Sequence, residues 1–107
     1  MIREDNQKVG ETMAAKVIIK RRVPAERSDE MERYISLLRN AAMTHHGYFY
    51  GDTAVKDDQH YREYVVTSTW QSYDHWERWM TSSVRGSIQG RIDQLAKSQT
   101  EYQLMRD

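Results

Sequence analysis

The chain has 107 residues and a mass of 12.7 kDa, which allows one domain and excludes a catalytic domain paired with a separate cofactor domain. Lys+Arg and Asp+Glu both number 16, so the net basic face that nucleic acid requires is not expected. Cysteine is absent, which removes disulfides, thiolate metal ligands and thiol nucleophiles. The longest run without a charge, Asn40 to Gly51, is too short to cross a bilayer. The charged opening MIREDNQKVGET does not read as a secretory signal, so a cytoplasmic protein with no membrane partner is expected. Residues 1–13 read as a polar tail and 14–107 as a single domain.

Leu, Ile, Val and Phe supply only 18 residues, and seven Tyr, three Trp and six Met make up the shortfall. Tyr and Trp bury large areas but carry polar tips that need partners, so such a core either surrounds a cavity or interlocks around those tips.

In chain order, Ala15 to Val23 alternates as a strand, with Val17, Ile19 and Val23 on one face and Ile18 on the other. Pro24 ends it, having no N–H for the ladder. Ser28 is the expected N-cap of a helix whose apolar face is Met31, Tyr34, Ile35, Leu38, Ala41 and Ala42. That helix is expected to fade near His45 and stop at Gly47. Tyr48 to Val55 and Tyr61 to Trp70 form an antiparallel hairpin across a polar turn. On the second of these strands Tyr64, Val66, Ser68 and Trp70 share one face, and Val65, Thr67 and Thr69 the other. Ser72 caps a short helix carrying Tyr73, Trp76, Trp79 and Met80. Ser82 or Ser83 caps another with Val84, Ile88, Ile92 and Leu95 in register, weakened by Gly86 and Gly90. Thr100 to Met105 alternates as a last strand.

This order predicts an α+β fold of the ferredoxin-like split βαβ type, a four-stranded antiparallel sheet with helices on one face. The bare face would carry Ile18, Val65, Thr67 and Thr69, and a second copy packing sheet on sheet covers it, giving a dimeric α/β barrel and a homodimer.

The strand VIIKRRV, the segment HGYFYGDT and the run VVTSTWQSYDHWERWMTSSVRGSIQGRI, with EYQL at the end, resemble the antibiotic biosynthesis monooxygenase superfamily across about Ala15 to Met105. The resemblance implies oxidation of an electron-rich polycyclic phenol or quinol by O2, with electrons from the deprotonated substrate and no cofactor. It also allows a non-catalytic dimer, binding small molecules or associated with stress, that keeps the fold and pocket. Such oxygenases use a strand tryptophan, a nearby strand asparagine, a tyrosine and an arginine. Trp70 matches the tryptophan, Val66 stands at the asparagine place, and Tyr73 and Arg91 lie near the other two without strict correspondence. The haem-degrading members resemble this chain at Trp79, but their axial histidine place is Gln89 and their first-strand asparagine place falls at Lys20 or Arg21. Nothing at that site would then hold iron.

Neighbouring side chains of an extended segment diverge, so His45 and His46 make a poor chelate, and no metal is expected. His46 or His75 can serve as a general base. Arg21 falls on the face of Val17, Ile19 and Val23, which makes it a pocket cation in need of an anion. The expected site is a cavity of ~300 Å³ or more, the ordinary range for ligands, lined by Arg21, Tyr64, Val66, Trp70 and Trp79. Ser68 leaves room in it. Trp70, Arg21 and His46 are its candidate catalytic residues, and Tyr64, Val66, Trp79 and Arg91 its candidate binding residues for a small aromatic molecule.

Overall fold

Alternating β-branched residues set the first strand, and each inward position of it is buried. In the computed structural model, which describes residues 14–105, β1 spans Ala15–Pro24 with Val17, Ile19, Arg21 and Val23 facing inward. A 3-10 turn at Ala25–Arg27 leads straight into α1, Ser28–Met43. Ser28 is therefore the first helical residue and not the cap. Arg27 holds the N-cap position without a side-chain hydrogen bond, and Arg27 Nε instead donates to Glu30 at 3.0 Å. The apolar stripe of α1 buries Met31, Ile35, Leu38 and Ala42.

The helix stops at Met43, two residues before the expected His45, and Gly47 turns the chain at φ +92°. β2 (Tyr48–Asp57) and β3 (Tyr61–Trp70) then pair antiparallel, with a bulge between Tyr48 and Tyr50. α2 (Tyr73–Met80) is capped by the Ser72 hydroxyl, which accepts from the His75 N–H. α3 (Ser83–Leu95) is capped by Ser82 in the same way, through the Arg85 N–H. Its buried residues are Gln89, Ile92 and Leu95. Val84, expected on that face, is exposed, because five residues place it about 140° around the helix from Gln89. Gly86 and Gly90 have open space where a side chain would stand. β4 covers Glu101–Met105.

The sheet order is β2-β3-β1-β4, with every neighbouring pair antiparallel. This is the ferredoxin-like α+β arrangement, with one layer of helices on one sheet face. Tyr64, Trp70, Met31, Ile92, Val17 and Val23 are the largest fully buried side chains between the two layers. On the opposite face Ile18 pairs with Thr67, and Tyr50 with Thr69. The tail expected over residues 1–13 lies outside the described residues. No helix among the described residues is long and apolar enough to cross a membrane.

Candidate active site

A cleft opens between the inner sheet face and the helices. One wall is apolar: Ile35 and Leu38 from α1, Val66 and Trp70 from β3, and Trp79 from α2. The other end is polar, formed by Arg21 of β1, Arg85 of α3 and Tyr102 of β4. Exposed Arg39 and Asp52 line it as well. Its volume is about 60 Å³, well below the ~300 Å³ expected of a ligand site. Aromatic packing takes up the difference. Trp70 and Trp79 stack at 5.9 Å, Tyr48 stands edge-on to Trp70 at 5.2 Å, and His45 meets both indoles edge-on at 6.1 and 5.4 Å. Ser68 does not simply leave room; its hydroxyl accepts the Trp70 indole N–H at 3.2 Å.

Arg21 is 3% exposed and takes part in no ion pair among the described residues. Its Nη2 donates to Gln89 Oε1 at 3.0 Å. The Gln89 amide nitrogen in turn donates to Asp93 Oδ1 at 2.9 Å and Thr100 Oγ1 at 3.0 Å, which fixes the oxygen toward the arginine. Burial pushes the Arg21 guanidinium below its ordinary pKa. Tyr102 and Asp93 oppose that shift, and the nearby charge of Arg85 adds to it. Arg85 donates to the Met80 carbonyl at 3.1 Å and to the Tyr102 hydroxyl, and its guanidinium lies 5.5 Å from the Tyr102 ring centre. Two guanidiniums thus share one end of the cleft without a carboxylate hydrogen-bonded to either.

The family model described as antibiotic biosynthesis monooxygenase matches residues 14–90, well over half of the chain. The chain belongs to the antibiotic biosynthesis monooxygenase family. Among solved structures it is similar to SnoaB, a cofactor-independent oxygenase from Streptomyces nogalater, with a TM-score of 0.74 and 14% identity over 89% of this chain and 94% of that one. It is similar to Rv0793 from Mycobacterium tuberculosis at TM-score 0.75 and 11% identity, over 89% and 95% of the two chains. A conserved protein from Bacteroides thetaiotaomicron aligns at TM-score 0.74 and 15% identity, over 88% and 99%. At these identities the likeness is one of fold. No curated protein matches the chain.

Within this family member the structure brings Arg21, Val66, Trp70 and Trp79 to one cleft and leaves three other expected site residues outside it. Tyr64 faces inward but lies farther down β3, where its hydroxyl donates to Glu32 Oε2 at 2.8 Å beneath the start of α1. His46 is exposed and its ring lies 5.0 Å from that of His75. Adjacent side chains diverge there, so His45 takes the place against the tryptophans. Arg91 is exposed because it sits six residues, about 240° of helical rotation, from the lining Arg85. Sequence reasoning missed Arg85, Tyr102 and the supporting Gln89. The alternation of β4 carried a usable signal for Tyr102, since Tyr102 pairs with Ile19 on the inner face. Among the described residues no group of three or more His, Asp or Glu side chains could hold a metal ion.

Proposed function

We propose that the cleft is the active site of a monooxygenase that oxidises an electron-rich aromatic or quinol substrate with O2. The observation that carries this reading is the apolar indole wall facing a buried, carboxylate-free cation. A phenol or quinol placed there loses its proton more readily, because Arg21 and Arg85 stabilise the anion in a partly desolvated space. Asp52 is the carboxylate lining the cleft and accepts the proton. The electron-rich anion then reduces O2 with its own electrons. For a substrate with an activated methylene the balance is CH2 + O2 → C=O + H2O: one oxygen atom enters the product and the other leaves as water. Trp70 and Trp79 hold the ring plane and keep water from the reacting carbon.

The same reading includes a homodimer through the outer sheet face. Tyr50 is 59% exposed and Met105 43%, while Thr69 has a buried hydroxyl without a hydrogen-bond partner among the described residues. A self-complementary sheet packing removes such a face from water. A non-catalytic binding dimer is the second reading. Val66 at the asparagine place favours it, because an apolar side chain supplies no donor to a developing oxyanion. Oxygen uptake with a panel of anthrones and hydroquinones, without added metal or flavin, separates the two. Uptake that is saturable in substrate and lost in Trp70→Ala is the expected result; binding without uptake would leave the second reading standing.

A further inference from the structure

Arg21 carries an unmet demand. Its Nε has no hydrogen-bond partner among the described residues, although the side chain is almost fully buried and lines the cleft. A buried polar group without a partner costs free energy unless something supplies one, and a guanidinium most of all. The protein supplies one acceptor, Gln89 Oε1, and that acceptor is neutral. Asp93 stops one residue short of Arg21: its carboxylate binds the amide of Gln89 and not the guanidinium itself.

Arg85 repeats the pattern from the other side. Its described hydrogen bonds go to the Met80 carbonyl and the Tyr102 hydroxyl, both neutral. Two like charges facing one space repel, and only an anion placed between them turns that repulsion into attraction. A planar guanidinium pairs best with a planar, two-oxygen anion, which it binds through parallel N–H donors.

We propose that the natural ligand of this cleft is an aromatic carboxylate, its carboxylate held between Arg21 and Arg85 and its ring against Trp70 and Trp79. The inference rests on the proposed oxidation only in sharing its site, and it names the substrate class: a hydroxylated aromatic acid. The small volume of the cleft favours one ring over a fused system. Gln89 is the positioning residue, because its fixed oxygen turns the Arg21 fork toward the space.

The test is calorimetric titration under argon with 2,5-dihydroxybenzoate and its neutral match, 2,5-dihydroxybenzamide. Excluding oxygen removes turnover, so binding is read apart from chemistry. The acid is expected to bind at least about tenfold more tightly than the amide, in line with a charge-assisted pair. Arg85→Gln should bring the two ligands within about twofold of each other by removing half of that pair. Arg21→Met, which replaces the buried cation by an apolar side chain of similar length, should do the same while the protein stays folded. Arg91→Gln, outside the cleft, should leave the discrimination intact. Equal affinity for acid and amide, no binding of either at millimolar concentration, or discrimination that survives in Arg85→Gln would each overturn the proposal. Oxygen uptake from a neutral quinol alongside equal binding would overturn it and leave the proposed oxidation standing. Tight binding of the acid without uptake would do the reverse.

Discussion

The indole of Trp70, at the end of β3, stacks on that of Trp79 in α2 with ring centres 5.9 Å apart and planes inclined by 27°. A strand and a helix are joined there by two of the largest side chains available. Trp79 is 7% exposed and also meets the His45 ring edge-on. Trp79→Ala should therefore cost about 3–5 kcal/mol, the usual range for removing a buried aromatic. Urea unfolding would show it as a lower midpoint at unchanged slope. A loss below about 1 kcal/mol would mean that the pair adds little to stability.

Gln89 and Arg21 form a second long-range pair, one that joins α3 to β1. Removing a hydrogen bond to a charged group typically costs about 1.5–3 kcal/mol, and Gln89→Leu also leaves the buried guanidinium without its described acceptor. A loss of about 2–3 kcal/mol is expected on that scale. The double variant Arg21→Met with Gln89→Leu should recover most of it, since an apolar pair leaves nothing unsatisfied. A double-mutant cycle measures the coupling directly, and purely additive losses would contradict it.

The fold was legible because its signals are local. The alternation in β1 and β3, the stripe of α1 and the Ser72 cap each lie within one element, and each appears where the pattern places it. The site was legible only in part. Trp70 and Arg21 follow from strand parity, which is a property of one strand. Arg85 and Gln89 depend on the rotation of α3 about its own axis, and the misleading Val84 hides that rotation. The size of the cleft depends on how five aromatic rings meet across four segments. No period in the chain encodes such a contact.

The alkaline limb of stability should depend on Tyr64. Burial raises its pKa first, and the hydrogen bond to Glu32 raises it further, against an opposing contribution from Arg62. A phenol whose pKa is higher folded than unfolded favours folding while it stays protonated. That contribution is present in full below about pH 10, the unfolded value, and is lost as pH rises through the folded value. Tyr64→Phe should therefore flatten the fall in urea midpoint above pH 10. An unchanged pH profile in the variant would assign the fall to other groups, Tyr48 among them, whose pKa burial also raises.

The proposed dimer has a direct test at Thr67, which pairs with Ile18 on β1 and Asp52 on β2. Sedimentation at micromolar concentration should give about twice 12.7 kDa for the parent chain. Thr67→Lys places an unpaired ammonium at the centre of that face, a position where burial of a charge costs several kcal/mol. The variant should sediment as a monomer and keep its far-ultraviolet circular dichroism. A parent chain that is itself monomeric would refute the sheet-on-sheet assembly.

Gly47 closes the gap between α1 and α2, and its tolerance to substitution can be divided into two physical parts. The residue holds φ +92°, and its carbonyl accepts from the Gln71 N–H at 2.6 Å, which ties the end of β3 to the turn. A Cβ there would stand 2.4 Å from Cγ and Cδ2 of His75. That ring cannot swing aside freely, because its Nδ1 is 2.6 Å from the Ser72 hydroxyl that caps α2. Gly47→Ala thus pays for positive φ, about 1–2 kcal/mol, and for displacing His75 as well. In a His75→Ala background the steric part disappears while the Ser72 cap, which uses the backbone N–H, remains. The substitution should then cost only the backbone part, at least about 1 kcal/mol less than in the parent chain. Equal costs in the two backgrounds would show that the conformation of Gly47, and not its contact with His75, sets the requirement for glycine.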